Sequence, residues 1–178
     1  LHRVDRRQRQ MCIRDRVYSA LQYLLKNQRN AVVLIVANKI TMKKVLVLCT
    51  GNSCRSQIAE GYLRYSAGSK AAVYSAGVET HGVNPRAVAT MKEDGIDISG
   101  HTSNNIDEYR NVDFDFVITV CDNAKERCPF FPSNAKKFHY NFPDPAKAQG
   151  TEEEIQQQFR TVRQMIKEYC KKFVADNL

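Results

Sequence analysis

The segment that most constrains the fold begins at residue 45, where an apolar run enters a short polar loop and then a helix. Residues 45–49 (Val-Leu-Val-Leu-Cys) are continuously apolar, which is typical of a strand buried on both faces of a parallel sheet. Residues 50–55 are rich in turn-forming types, and from Ser56 to Ala67 apolar side chains recur at helical spacing. This order of strand, loop and helix predicts an α/β protein.

The rest of the chain repeats the alternation of strands and helices. Further strands are predicted at residues 71–76, 114–120 and 136–140. Further helices are predicted from Asn84-Pro85 to about Gly95, and from the capping pair Thr151 and Glu154 to about Phe173. The last helix should turn seven apolar side chains inward: Ile155, Phe159, Val162, Met165, Ile166, Tyr169 and Phe173. We therefore predict a single three-layer α/β domain with a four-stranded parallel sheet and helices on both faces.

The positive charge of the chain is concentrated before this domain. The net charge is +8, but residues 1–41 contain nine of the basic residues and two of the acidic ones, so the remainder is close to neutral at +1. A neutral domain does not predict a nucleic-acid partner, and no apolar run is long enough to predict a membrane span. We expect residues 1–41 to be a leader outside the core, a gene-calling artefact or an extension, and residues 42–178 to form the domain. A secretory signal or an organelle-targeting peptide are the alternatives for the leader.

Residues 49–56 (Cys-Thr-Gly-Asn-Ser-Cys-Arg-Ser), called the anion loop below, hold the candidate chemistry. A loop between a strand and a helix N-terminus can point backbone N–H groups at an anion. Arg55 can fold back and bind a tetrahedral oxyanion with two hydrogen bonds. Cys49 would then be a thiolate with a lowered pKa, and Ser56 could donate a hydrogen bond to it. The oxyanion would contact the residues that follow Cys49 up to the loop arginine: Thr50, Gly51, Asn52, Ser53, Cys54 and Arg55. We expect Cys54 to be a packing residue. The alternative interpretation of Cys49 and Arg55 is a buried structural cysteine beside a surface arginine.

Two more cysteines suggest thiol chemistry. Cys121 follows the predicted strand at 114–120, and six mainly polar residues separate it from Cys128. Such a pair suits a relay in which one thiol attacks the nucleophile and the other resolves the disulfide. A static disulfide is disfavoured in a reducing cytosol, and a zinc site with Cys49 and Cys54 would have loose spacing.

These motifs resemble the low-molecular-weight protein tyrosine phosphatase family, and within it the thioredoxin-coupled arsenate reductase branch. The resemblance covers most of residues 43–173. It is carried by residues 49–56, 74–85 and 97–103, by Cys121 with Cys128-Pro129, and by Asp144-Pro145.

The resemblance implies a role for each of these thiols. Cys49 would attack arsenate while Asp144 protonates the leaving oxygen. Cys121 would then attack Cys49, expel arsenite and form a Cys49–Cys121 disulfide. Cys128 would attack Cys121, and thioredoxin would reduce the resulting Cys121–Cys128 disulfide. The expected protein is thus a cytoplasmic arsenate reductase without a tightly bound cofactor, with phosphate or sulfate as competing oxyanions.

Some members of this branch bind potassium near the anion loop. The matching positions here are Asn52, Glu60, Ser75 and Asn104, and the last of these is a carboxylate in the family. The resemblance therefore implies at most a weak potassium site at Asn52, Glu60 and Ser75. His81 and His101 also stand in matching motifs, and we expect them to hydrogen-bond loop backbone rather than to catalyse.

A tyrosine or aryl phosphatase is the main alternative function. The family's phosphatases place an aromatic residue after the Asp-Pro pair to hold the phosphotyrosine ring, whereas Asp144-Pro145 is followed by Ala146-Lys147. This difference favours the reductase, although Asp-Pro is also a common turn. A non-catalytic oxyanion-binding or thiol–metal module is a further alternative.

Overall fold

A computed structural model of the chain describes residues 42–121 and 134–178, and the elements in these ranges follow the predicted order. The strands are β1 (Lys43–Cys49), β2 (Ala71–Gly77), β3 (Phe116–Thr119) and β4 (Lys136–His139). The α-helices are α1 (Arg55–Ala67), α2 (Pro85–Glu93) and α3 (Glu152–Asn177). Short 3₁₀ turns lie at Gly68–Lys70, Ile106–Tyr109 and Pro145–Lys147.

The four strands form one parallel sheet in the order β2-β1-β3-β4. β1 is therefore a central strand, which explains why its residues are apolar without alternation. Val45 and Val47 belong to one hydrophobic cluster, and Leu46 and Leu48 belong to another on the opposite face. The predicted α/β class and the four-stranded parallel sheet are confirmed.

The two faces of the sheet are covered by different kinds of structure. All three α-helices contribute to the first cluster, for example through Ile58, Met91 and Phe159. In the described part of the chain, the second cluster is covered by the 3₁₀ helix Ile106–Tyr109 and its neighbours. The apolar residues there recur every third position, at Ile106, Tyr109 and Val112, a spacing that fits the three-residue turn of a 3₁₀ helix.

The predicted capping residues at the starts of α2 and α3 are confirmed. The side chain of Asn84 accepts a hydrogen bond from the Arg86 backbone N–H at 2.9 Å. Thr151 and Glu154 form the reciprocal hydrogen bonds of a capping box. The helix that they begin runs past its predicted end.

The buried stripe of α3 differs from the prediction at Met165. Its side chain is 36% exposed, because the neighbouring Ile166 takes the inward position and successive helix residues point about 100° apart. Cys170 and Val174 are buried as well and carry the stripe to the end of the helix. In the described ranges, no helix is both long enough and apolar enough to cross a bilayer.

Candidate active site

Two thiols lie at the carboxyl ends of neighbouring strands. Cys49 is the last residue of β1, and Cys121 follows the end of β3 by two residues. Because β1 and β3 are parallel with Leu48 opposite Thr119, both thiols reach the same edge of the sheet. Thr50 Oγ1 lies 3.5 Å from Cys121 Sγ. The structure thus brings Cys121 beside the anion loop.

Cys49 is buried, and its sulfur has two close polar neighbours. Cys49 Sγ lies 2.9 Å from Ser56 Oγ, and the Asn52 backbone N–H donates to it at 3.1 Å. Burial raises the pKa of the Cys49 thiol, and the hydrogen bonds from Ser56 and Asn52 and the charge of Arg55 oppose this rise. The sequence-based prediction of a lowered pKa is therefore wrong, because removal of the thiol from solvent outweighs the groups that stabilise the thiolate.

Asn52 fixes the shape of the anion loop. Its φ of 44° is the only positive value among the non-glycine residues that the structure describes. Its side-chain N–H groups donate to Ser56 Oγ at 3.0 Å and to Ser75 Oγ at 2.8 Å. Its side-chain oxygen accepts from the Asn104 backbone N–H at 2.8 Å and from Gln57 Nε2 at 3.0 Å. These four hydrogen bonds hold a left-handed backbone conformation that costs energy for a residue with a Cβ.

Gly77 and Gly51 allow the anion loop to pack closely on its surroundings. A Cβ at Gly77 would lie 2.7 Å from the Thr50 carbonyl oxygen and 2.8 Å from the Asn52 nitrogen. A Cβ at Gly51 would lie 2.7 Å from Nδ1 of the His81 ring. Glycine is therefore required where β2 ends against the loop.

Arg55 joins the anion loop to the segment that carries Asp144. Its Nη2 lies 2.9 Å from Asp144 Oδ2, and its Nη1 donates to the Phe142 carbonyl oxygen at 3.1 Å. A guanidinium has five N–H donors, so these two bonds leave Arg55 able to donate to an oxyanion. Asp144 Oδ1 also accepts from the Ala146 backbone N–H at 3.2 Å, which fixes the carboxyl group at the start of a 3₁₀ turn.

A cavity of about 240 Å³ opens above the anion loop. It is lined by Cys49, Thr50, Gly51, Ser53, Cys54, Arg55, His81, Asp144, Ala146 and Lys147. Cys54 is also part of the hydrophobic core, as expected, and burial raises the pKa of its thiol to about 12. Asn52 and Ser56 are fully buried outside this lining and contact the cysteine sulfur instead.

Gln57 is a site residue that the sequence analysis missed. It is fully buried in the first turn of α1 and donates to the Asn52 and Thr102 carbonyl oxygens at 3.1 and 2.9 Å. Its side-chain oxygen lies 3.0 Å from Nδ1 of His101. A glutamine beside the apolar stripe of a helix was a signal in the sequence, but only the fold identifies its partners.

The two histidines bond side chains rather than loop backbone. The His101 ring bonds Gln57, as stated above, and the His81 ring pairs with Glu79 at 3.1 Å between Nε2 and Oε2. The His81 backbone N–H, however, donates to the Gly51 carbonyl oxygen at 3.1 Å. The His101 backbone N–H likewise donates to the Ile98 carbonyl oxygen at 3.1 Å, so the sequence-based expectation holds for the main chain of both histidines but not for these ring contacts.

The remaining sequence-based assignments are tested in part. Cys49, Cys54, Cys121 and Cys170 are free thiols, whereas Cys128 and the leader, residues 1–41, lie outside the described residues. Within residues 42–121 and 134–178, no group of three or more His, Cys, Asp or Glu side chains could hold a metal ion.

The fold and the site together define a class of protein. A cysteine at the end of the central strand, a loop that wraps its sulfur and an arginine at the start of the next helix form a cysteine-based oxyanion site. The model of the family described as low molecular weight phosphotyrosine protein phosphatase matches residues 44–178. The chain belongs to this family.

The similar proteins carry a more particular name. An arsenate reductase of Halalkalibacterium halodurans is 52% identical over 131 residues, which cover 74% of this chain and 94% of that protein. An arsenate reductase of Bacillus licheniformis is 50% identical over 134 residues, covering 75% and 96%. A solved structure described as an arsenate reductase in the phosphate binding state aligns with a TM-score of 0.66 at 38% identity, covering 76% of this chain and 98% of that one.

Proposed function

We propose that this protein is a cytoplasmic enzyme that reduces arsenate to arsenite with three cysteine thiols and is returned to its reduced state by thioredoxin. The names of the similar proteins support the substrate. The observation that carries the proposal is the position of Cys121, whose sulfur lies 3.5 Å from the hydroxyl of Thr50 in the anion loop. A phosphatase needs one nucleophilic thiol in this loop, whereas a reductase needs a second thiol that forms a disulfide with the first.

In the first proposed step, Cys49 bonds to arsenic. The oxyanion binds in the cavity, held by the loop N–H groups and by Arg55. The Cys49 thiolate attacks arsenic, the bond between arsenic and one of its hydroxyl groups breaks, and protonated Asp144 transfers its proton to that hydroxyl, which departs as water. Because burial raises the pKa of the Cys49 thiol, the hydrogen bond from Ser56 at 2.9 Å is the contact that best supports the thiolate.

In the second proposed step, arsenic accepts two electrons. The Cys121 thiolate attacks the Cys49 sulfur, an S–S bond forms, and the electron pair of the S–As bond stays on arsenic. Arsenite leaves, and Cys49 and Cys121 together have lost two electrons. Cys128 then attacks Cys121, frees Cys49 and forms a disulfide that a thioredoxin dithiol reduces.

The test is arsenate-dependent NADPH oxidation in the presence of thioredoxin and thioredoxin reductase. We expect turnover by the unaltered protein and none by Cys121→Ala. The matched control is Cys170→Ala, because Cys170 is also buried but lies in α3 with its sulfur 3.7 Å from the Ala59 carbonyl oxygen. Cys128→Ser should accumulate a Cys49–Cys121 disulfide, which peptide mass spectrometry detects.

Hydrolysis of an aryl phosphate separates the two functions. The phosphatase alternative needs only Cys49, Arg55 and Asp144 and is therefore insensitive to Cys121→Ala. If the unaltered protein and Cys121→Ala hydrolyse p-nitrophenyl phosphate at equal rates, and neither consumes NADPH in the presence of arsenate, the reductase proposal is wrong.

A further inference from the structure

Asn52, Glu60 and Ser75, which the resemblance relates to potassium, are joined by hydrogen bonds. These hydrogen bonds do not leave a set of oxygen atoms that could coordinate a cation. A hard cation needs several oxygen atoms with lone pairs directed at one point. Asn52 instead directs an N–H group at Ser75 Oγ, at 2.8 Å. Its orientation is fixed because the amide oxygen accepts from the Asn104 backbone N–H, which can only donate. Ser75 in turn donates to Glu60 Oε2 at 2.6 Å. These donors do not fit a bound potassium ion.

A positive charge from the chain itself lies next to Glu60. Arg64 Nη2 is 2.6 Å from Glu60 Oε1, one helical turn away on α1. The same guanidinium donates from Nε and Nη2 to the Val73 carbonyl oxygen at 3.2 and 3.1 Å, which ties it to β2. The Glu60 side chain is only 7% exposed, and a buried carboxylate requires a compensating charge.

His101 is the other basic group near Glu60, and it does not supply this charge. Its Nδ1 lies 3.8 Å from Glu60 Oε2 and 3.0 Å from the Gln57 side-chain oxygen. The distance to Glu60 is beyond hydrogen-bond range, and the ring bonds the Gln57 side chain instead. Arg64 is therefore the permanent cation beside Glu60.

A continuous path of hydrogen bonds joins this ion pair to the nucleophile. Glu60 accepts from Ser75, and Ser75 accepts from the Asn52 side chain. Asn52 donates through its backbone N–H to Cys49 Sγ at 3.1 Å and through its side chain to Ser56 Oγ, which is itself 2.9 Å from that sulfur. Because the left-handed conformation of Asn52 depends on these contacts, a shift of Glu60 reaches the groups that stabilise the Cys49 thiolate.

We propose that Arg64 is a positioning residue whose guanidinium holds Glu60, and through it the anion loop, so that this chain works without a bound potassium ion. The inference rests on the proposed role of Cys49 as the nucleophile, but it does not depend on arsenate being the substrate.

The first measurement needs no variant. The rate of Cys49 alkylation by iodoacetamide is followed by peptide mass spectrometry in potassium, sodium or choline chloride at equal ionic strength. We expect the three rates to agree within about 2-fold. A rate that is several-fold higher in potassium alone would overturn the proposal, because it would show that a cation still organises the loop.

The second measurement removes the charge. Arg64→Gln should slow Cys49 alkylation and arsenate turnover by about 3- to 30-fold, the usual range for residues that act through a network. Arg64→Lys should restore most of both rates, since a lysine at this spacing can also pair with Glu60. The matched control is Lys172→Gln, which breaks an exposed pair of the same spacing, Lys172 with Asp176 at 2.8 Å in α3, and should leave both rates unchanged.

These readouts keep the two proposals apart. Alkylation reports on the anion loop whether or not the protein reduces arsenate, so a failure of the proposed function leaves this test intact. If Arg64→Gln alkylates at the unaltered rate, or if Arg64→Lys is as slow as Arg64→Gln, the positioning role is refuted. If Arg64→Gln does not fold, the cation series and Arg64→Lys still decide the question.

Discussion

Ser56 should control how readily Cys49 ionises, and Ser56→Ala tests this directly. The hydroxyl lies 2.9 Å from Cys49 Sγ in a fully buried position. Its donated hydrogen bond opposes the rise in the pKa of the thiol that burial causes. Alanine removes the donor but leaves Asn52 its second side-chain partner, Ser75, at 2.8 Å. The anion loop should therefore keep its shape while the thiolate loses a stabilising contact.

The size of the effect follows from the kind of hydrogen bond that is lost. A hydrogen bond to a charged group is worth about 1.5–3 kcal/mol, and each 1.36 kcal/mol is about a tenfold change in the ionised fraction. Below the pKa of the thiol, Ser56→Ala should therefore lower the thiolate fraction about 10- to 100-fold. The rate of Cys49 alkylation at pH 7 should fall by the same factor, because the thiolate is the nucleophile.

The assay is alkylation by iodoacetamide between pH 6 and pH 10, with the Cys49 peptide quantified by mass spectrometry. For Ser56→Ala the rise in rate should occur at higher pH than in the unaltered protein. Ser66→Ala is the matched control, since Ser66 lies near the other end of α1. Superimposable pH profiles for Ser56→Ala and the unaltered protein, at equal thermal stability, would refute this account of Cys49.

Three further predictions concern packing and stability. Gly77→Ala should slow Cys49 alkylation more than tenfold, because the new Cβ would collide with the backbone of the anion loop. Gly100→Ala is the control, since no atom lies within 4 Å of its Cβ. Equal alkylation rates for Gly77→Ala and the unaltered protein would contradict the packing described. Tyr62→Phe should lower the free energy of unfolding by about 1.5 kcal/mol in urea titrations, since it removes a 2.6 Å hydrogen bond to Asp94; an unchanged midpoint would exclude this. Hydrogen bonds from Lys167 and then Tyr62 lower the pKa of Asp94, so their stabilisation is present above the unfolded-state pKa of about 3.9 and is lost as pH falls through the lower folded-state value. Urea midpoints at pH 5, 4 and 3 should therefore fall more steeply for the unaltered protein than for Asp94→Asn, and parallel curves would contradict the linkage.

Local patterns were sufficient for the order of the elements. The continuous apolar run of β1, the Asn84 cap and the Thr151 capping box each depend on neighbours in the chain, and each prediction is confirmed. Prediction was poorer where more than one choice of buried residue satisfies the same pattern of apolar side chains. Met165 and Ile166 are adjacent and both apolar, and only packing against α1 and α2 decides which one is buried.

The site shows the same division. The sequence identified the anion loop because its residues are contiguous between a strand and a helix. The pKa of Cys49 went against the prediction, because burial raises it. Cys49 is buried in a cluster that includes Val120 and Phe142, which are distant from it in sequence. The role of Gln57 likewise depends on Thr102 and His101, which lie more than 40 residues away along the chain.

What the sequence determined by itself is therefore the chemistry available: a thiol, an arginine and a serine in the anion loop, further thiols at 121 and 128, and an Asp-Pro pair at 144. The tertiary structure decided which of these groups meet. It placed Cys121 beside Thr50 through the parallel register of β1 and β3, and it joined Arg55 to Asp144 across 89 residues. The physical reason is that hydrogen bonding and desolvation act over a few ångströms, and distances of that size between remote residues are set by the packing of the sheet and helices.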